Sequence, residues 1–481
     1  MRTLNRSSAF LSMTRNERRT VFSVALLYVL RMLGLFMVLP VFMIHGRALE
    51  GATDLLLGVA IGAYGLSQAL FQIPFGALSD RFGRKRLILL GLLLFLLGSI
   101  VAALSTSVHG VILGRLLQGA GAIASVLMAL LSDLTGEESR TRAMAIVGVS
   151  IGLSFSLALI LGPFVAQIGG LQAIFWLTAA LAGFGLLWLH FAVPNPVQRV
   201  RHRDSYLFRD QLGSVLRNPA LLRLDFGIFT LHLCLTAMFV AIPRALIEHA
   251  EMPIAQHWLV YLSVMVLSFF AMVPFIVIGE KRGLLRVVFL GAILLLALAA
   301  LSIVWTRQHF SVLWFSLFAF FVAFNLLEAS LPSLVSKLCP AGSKGTAMGV
   351  YSTGQFLGAF LGGVLGGWML SRHGEAGVFV LCAVMALFWF LMALSMTNPK
   401  PETSMTIALG PGIDQRAAER LSEALCTIEG VQEAVVVPED RVAYLKVIRN
   451  GLDEDRLRQF QWQQEGCSGS TDSHMENRHH P

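Results

Sequence analysis

The clearest ionisable side chains inside the long apolar runs of this chain are Arg31, Arg115, His232 and Glu328. Such groups are costly away from water, and where they are kept they commonly bind a ligand, pass a proton or pair with another charge. Glu328 is the one carboxylate placed well inside such a run, and its carboxyl group could load and unload a proton as its surroundings change. His232 is the second candidate, because imidazole titrates near neutral pH. Two plainer readings stand beside these: a fixed Glu328–Arg31 ion pair, and a His232 that is merely hydrogen-bonded in the packing. Asn325 lies one turn before Glu328 on the same helical face. Tyr64, Gln68 and Gln72 recur at four-residue spacing and would contact a solute or glue helices together.

A second constellation is the cluster GALSDRFGRKR at 76–86, set between two apolar blocks. Gly76 and Gly83 would permit close packing and a turn. Asp80 precedes the next helix by about a turn, where an anion suits the positive end of the helix dipole. Arg81, Arg84, Lys85 and Arg86 supply the positive charge, and LLSDLT at 130–135 offers Asp133 as a partner for Arg84. Asp80 would reach toward Gly345 and Thr346. The plain reading is a turn whose charges only set topology.

These residues need elements to hold them. The chain has 481 residues, 56% hydrophobic and 14% charged, with a mean hydropathy of +0.70. A soluble domain is nearer one quarter charged. Apolar runs at 20–44, 55–78, 87–107, 110–131, 143–167, 171–193, 223–247, 257–279, 285–305, 310–335, 346–370 and 376–397 are each long enough to cross a bilayer as a helix. They are too long and continuous for barrel strands. The first run follows Arg15–Arg19 and has no cleavage site, so it is expected to be retained. The five cysteines are scattered singly and imply neither a disulfide framework nor a zinc site. Roughly twenty Lys and Arg lie on one side of the runs, against Arg47, Arg244, Arg307 and Arg372 on the other. The positive-inside rule then puts both termini in the cytoplasm.

The chain also repeats itself. IPFGALSDRFGRKRLILLG (73–91) aligns without a gap on VPFIVIGEKRGLLRVVFLG (273–291), pairing Pro74 with Pro274, Asp80 with Glu280 and Gly83 with Gly283. RAMAIV (142–147) echoes TAMGVY (346–351). Two six-helix halves follow, the parallel-repeat plan of one transporter class, whose substrate site lies mid-membrane between the halves.

GALSDRFGRKR resembles the loop signature of the major facilitator superfamily between its second and third helices. LGRLLQGAGA (113–122) resembles that family's fourth-span motif, with Arg115 as its charged member. LGPF (161–164), with Gly162 and Pro163, resembles the span-5 motif of its drug:proton antiporter branch, although the glycines usual after the proline are displaced to Gly169–Gly170. The resemblance implies twelve transmembrane helices in two halves, an all-α membrane fold whose spans 1, 4, 7 and 10 line a central cavity. Arg31, Arg115, His232 and Glu328 fall on those four spans. It further implies that Arg115 guards proton movement, with a helix–helix contact as the alternative. The 76–86 cluster would latch the halves together on the cytoplasmic side while the site faces outward. Some multidrug members carry an acid in span 1; Arg31 stands there instead, which leaves an anionic or zwitterionic solute open.

After Pro401 the composition changes. A strand at 405–410, an amphipathic helix at 414–428, strands at 431–437 and 441–448 and a helix at 453–460 give a β-α-β-β-α order, a small α+β ferredoxin-like domain. GPGID stands where metal-binding domains of this shape carry Cys-x-x-Cys, so no metal is expected there. The boundaries are thus a first half at 1–193, a cytoplasmic linker at 194–221, a second half at 222–397, the small domain at 403–464 and a disordered tail at 465–481.

The expected function is proton-coupled efflux of amphipathic compounds by alternating access, from a bacterial inner membrane. Proton symport of an organic solute, or a transporter-like sensor reporting to the cytosolic domain, are the alternatives. Expected partners are the bilayer, a small molecule and protons, with docking or self-association of the small domain; no cofactor, metal or nucleic acid is expected. No nucleophile–base set or phosphate loop points to an enzyme.

Overall fold

The structure, a computed structural model, describes residues 13–135, 137–194, 212–306, 309–339, 343–396, 402–409, 414–438, 442–448, 451–453 and 456–457. Helices dominate it because the apolar runs can satisfy their backbone in lipid only internally. Span 1 is Arg15–Phe36, span 2 Asp54–Phe82, span 3 Arg84–Leu104, and span 4 Val108–Ala120 continued by Ala124–Asp133. Spans 5 and 6 lie within Glu137–Ala192, broken where Gly169 and Gly170 leave the helical region. Span 7 is Pro219–Glu248, span 8 His257–Lys281, span 9 Leu285–Thr306 and span 10 Phe310–Leu338. Spans 11 and 12 lie within Lys344–Ala393, broken at Gly374, whose φ is +65°. Each helix of this set is long and apolar enough to cross a membrane.

Local chemistry fixes the ends. Thr14 and Glu17 form a reciprocal capping box on span 1. Thr53, Ser107 and Asn218 accept from the first free N–H groups of spans 2, 4 and 7. The run expected at 20–44 is not one helix. Span 1 stops at Phe36, and a short helix, Phe42–His45, follows a turn that contains Pro40. Proline lacks the N–H that would continue the ladder.

The loops around Arg84 and Arg282 mark one end of the bundle as basic. At the far end the two halves fuse: Met37, Val38, Leu57, Ala60, Phe155 and Leu159 share one apolar cluster with spans 7–12. Toward the basic end, Val24, Leu27, Phe75, Leu87, Ile123, Leu127 and Leu130 form a separate cluster within the first half. Spans 2 and 11 meet across the halves at backbone contact. A Cβ on Gly58 would collide with the Gly363 carbonyl, and one on Gly62 would come to 2.6 Å from the Phe360 carbonyl. Gly58 and Gly62, and Gly363 and Gly367, have the four-residue spacing that lets helix backbones meet in lipid. At the basic end of the same region, a Cβ on Gly345 or Gly349 would meet nothing within 4 Å, and the same holds for Gly148 and Gly152 on span 5.

Contacts divide the chain into this helical unit and a second unit that contains the tail after Pro399. In the tail, β1 (Glu402–Ala408), a helix (Gln415–Cys426), β2 (Val431–Val437) and β3 (Val442–Ile448) build a three-stranded antiparallel sheet of order β1-β3-β2. β3 between β1 and β2 is the split βαβ arrangement of ferredoxin-like folds. Asp414 caps the helix through Ala417 N–H at 2.7 Å. Leu425, Ile428, Ile407, Ala443, Leu445 and Val447 form its core. Most of the helix expected at 453–460, all of 465–481 and most of the linker lie outside the described residues.

Candidate functional site

In the first half, spans 1, 2 and 4 bring two arginines onto one tyrosine. Arg31 Nη2 donates to Tyr64 Oη at 2.8 Å and to Gln68 Oε1 at 2.6 Å. Gln68 Nε2 donates onward to Gln72 Oε1 at 2.8 Å. The Arg115 guanidinium lies 5.2 Å from the Tyr64 ring centroid, a cation–π distance. Arg115 also donates to Gln118 Oε1 at 2.9 Å and to the Ile61 carbonyl at 3.4 Å. Arg31 is 2% exposed and Arg115 1%. Among the described residues no carboxylate pairs with either guanidinium. The expected alternative of an Arg31–Glu328 pair is therefore not what the structure shows: neutral oxygens on span 2 hold the Arg31 head.

In the second half, spans 7, 10 and 11 assemble the opposite charge. Gln355 Nε2 donates to His232 Nε2 at 2.8 Å and to Glu328 Oε1 at 3.4 Å. His232 Nδ1 stands 3.9 Å from Glu328 Oε2, and the Glu328 side chain keeps 37% exposure. Gln355 was not foreseen from sequence, and neither were two neighbours of this set. Asp225, two helical turns before His232, holds both carboxylate oxygens buried without a hydrogen-bond partner. Tyr351, one turn before Gln355, is 3% exposed and lies within electrostatic range of both Glu328 and Asp225. Their signal was the seven-residue step from 225 to 232 and the four-residue step from 351 to 355, which place each pair on one face. Asn325 is committed elsewhere, donating to Ser268 Oγ of span 8 at 3.0 Å. An aromatic bridge joins the halves near this site: the Phe155 ring is 6.5 Å from Phe239 and 6.3 Å from Phe324.

The 76–86 cluster closes the basic end of the first half. Arg84 Nε lies 3.1 Å from Asp133 Oδ2, and the same guanidinium also meets Asp80 and, at 2.6 Å, Ser79 Oγ. Gly83 has φ +96°, which a side chain would strain, and there span 2 ends and span 3 begins. Gly76 differs from expectation: a Cβ there would meet only Ser125 Oγ, at an ordinary 3.6 Å, so close packing does not require it in this conformation. Arg81 is exposed and turned along the Phe82 ring. In the span-5 motif, a Cβ on Gly162 would strike the Met37 carbonyl just past span 1, while Pro163 sits inside the helix.

At the far end a charge network that sequence reading passed over as loop charge joins the halves. Asp54 of span 2 lies 3.3 Å from Arg47 and 3.9 Å from Arg244 of span 7. Arg244 also meets Glu248 at 2.6 Å and Glu375 at 3.4 Å, and Glu375 meets His249 at 2.7 Å. Glu248, His249 and Glu375 could present metal-ligand atoms within 4.8 Å of one another. The Arg244 guanidinium already brings positive charge to two of the three, so the cluster reads as an ion-pair network.

Known proteins share this architecture. A sequence profile of the Major Facilitator Superfamily matches residues 24–362 and 253–425. The chain is 48% identical over 436 residues to the inner membrane transport protein YajR of Escherichia coli K12, covering 90% of this chain and 95% of that one. It is 28% identical over 365 residues to multidrug resistance protein 2 of Bacillus subtilis, covering 71% and 87% of the two chains. A solved D-xylose–proton symporter superposes with a TM-score of 0.68 at 14% identity, over 80% of this chain and 98% of that one. With this profile match and a relative 48% identical over most of both chains, the chain belongs to the Major Facilitator Superfamily and is a multi-pass membrane transporter, not an enzyme.

Proposed function

We propose that the protein is a proton-coupled antiporter that exports an amphipathic compound by alternating access, with Glu328 as proton carrier and His232 and Gln355 as its partners. The observation that carries this reading is the Glu328 carboxylate on span 10, its Oε2 buried without a hydrogen-bond partner and its Oε1 linked through one glutamine to a histidine. Ionisable groups so placed mark proton relays in transporters. The likeness to the Bacillus multidrug resistance protein supports efflux of drug-like compounds. Under the positive-inside rule the basic end is cytoplasmic, so tight glycine packing and the Arg244 network close the outward side in this conformation. The Arg84 pairs with Asp80 and Asp133 are already formed within the first half here, so the part of the cytoplasmic latch that engages when the halves rock the other way is the reach of this turn toward Gly345 and Thr346.

The test is proton flux in everted membrane vesicles acidified by respiration and read with a pH-quenched dye. Exported compounds from an amphipathic library restore fluorescence in the native protein. Glu328→Gln should insert normally and restore none. Full recovery in that variant would remove Glu328 as the carrier, and ligand binding without any flux would favour the sensor reading instead.

A further inference from the structure

We infer that Arg31 binds the anionic head of the transported solute, and that this solute is an amphipathic organic acid. The inference rests on the transporter reading but not on the proton carrier. Arg31 is 2% exposed, yet its Nε and Nη1 have no hydrogen-bond partner. Three of a guanidinium's five N–H donors sit on those two nitrogens. Its remaining donors go to Tyr64 and Gln68, both neutral. A buried charge without a counter-charge is strongly unfavourable, so something negative must be offered to it during the working cycle.

Among the described residues of the first half, no carboxylate pairs with it. The nearby polar groups are Tyr28, Tyr64, Gln68, Gln72, Gln118 and Ser99, none of them a carboxylate, and the second buried cation, Arg115, lies 5.2 Å from the Tyr64 ring centroid. Arg115 has an unpartnered Nε of its own. It adds to the positive field and holds the Tyr64 ring in place. A carboxylate matches the need: it accepts from planar N–H pairs at charge-assisted strength. The surroundings favour an organic rather than an inorganic anion. The Phe95 ring is 6.0 Å from the Arg31 guanidinium, and the Tyr64 ring is 6.4 Å from Phe356 of the other half. An aromatic body attached to the acid would lie against these rings.

The probe is 1-naphthoate, with 1-naphthamide as a neutral control of the same shape and sodium chloride as the inorganic arm. Binding to the purified full-length protein is read from thermal unfolding at fixed pH and without a gradient. Naphthoate should raise the melting temperature and naphthamide should not. Arg31→Gln should weaken naphthoate at least about tenfold, the usual cost of losing charge-assisted hydrogen bonds. Should that variant fold poorly, Gln68→Glu supplies a second test: its carboxylate would stand beside Arg31, raise stability and exclude naphthoate. Equal shifts by naphthoate and naphthamide, a chloride effect as large as that of naphthoate, or unchanged naphthoate binding in Gln68→Glu would each overturn the inference. Anion binding with no proton flux would leave it standing and sink the antiport reading. Intact flux with no anion binding would do the reverse.

Discussion

Gly83 and Gly283 occupy matching places in the two halves, and both have positive φ, +96° and +67°. Beside them Lys85 donates to the His190 and Val193 carbonyls at the end of span 6, and Arg286 donates to the Leu394 carbonyl at the end of span 12. The backbone plan and its end-capping cations are thus repeated. The buried charge is not. Spans 1 and 4 carry two guanidiniums among neutral oxygens, whereas spans 7 and 10 carry Asp225 and Glu328 beside a histidine and a glutamine. The duplicated scaffold differs in what it buries: unpaired guanidiniums in one half and carboxylates in the other, the difference on which the proposed division between anion binding and proton carriage rests.

The sharpest way to break this comparison is to give the acidic half a permanent cation. Gln355 touches both His232 and Glu328, so Gln355→Lys would pair Glu328 for good. Proton-driven dye recovery should fall on the order of 100-fold, as a close ion pair in a poorly solvated site holds its carboxylate ionised. Naphthoate binding in the other half should stay within about twofold. A matching loss of naphthoate binding would show that the halves do not divide the work.

Next in size is the far-end seam. Gly58→Ala would drive a methyl group into the Gly363 carbonyl. Overpacking at such a contact costs about 1–3 kcal/mol, which moves a two-state balance about five- to 150-fold toward the conformation open at that end. Gly345→Ala at the basic end meets nothing within 4 Å and should leave this conformation as it is. Cysteine labelling from the far side reads both; equal labelling in the two variants would mean that the seam is not where the halves part.

Much of this was legible in the sequence, for physical reasons that also mark the limits. The span ends, the Gly169–Gly170 break and the Gly83–Gly283 repeat follow from bilayer length and from the few residues that can turn a helix. The tail strands follow from alternation. The Arg84–Asp133 contact could be anticipated because one loop and one helix end must share a face. Gln355 and Asp225 were missed because neither stands out in composition; they matter only through what spans 7, 10 and 11 bring together. Arg244 was counted with the sparse far-side charges, and Glu248, His249 and Glu375 were not singled out, since a sparse far side gives no hint that its few charges converge. The glycine stripe at 358–367 was readable in its four-residue steps, but its partner on span 2 was not.

Smaller again is the turn that the halves share. Gly83→Ala and Gly283→Ala should each cost about 1 kcal/mol, because both force a side chain into left-handed backbone. Equal losses in thermal stability would confirm that the two turns are equivalent structurally. A loss confined to Gly83→Ala would tie that turn to the Arg84 ion pairs beside it rather than to the fold.

The smallest effect belongs to the far-end charges. Arg244 is about one-third exposed and its link to Asp54 across the halves is long, 3.9 Å. Exposed pairs contribute about 0.2–1 kcal/mol and are screened by salt. Arg244→Gln should therefore raise far-end labelling only about two- to threefold, well below Gly58→Ala, and the difference from native protein should shrink at high ionic strength. The ordering matters more than either value. Backbone contact between spans 2 and 11 would then hold the far end shut, with the Arg244 network biasing a seam already made. If Arg244→Gln opened the far end as widely as Gly58→Ala, the charges would be the lock, and the asymmetry between the halves would extend from the buried site to the gate.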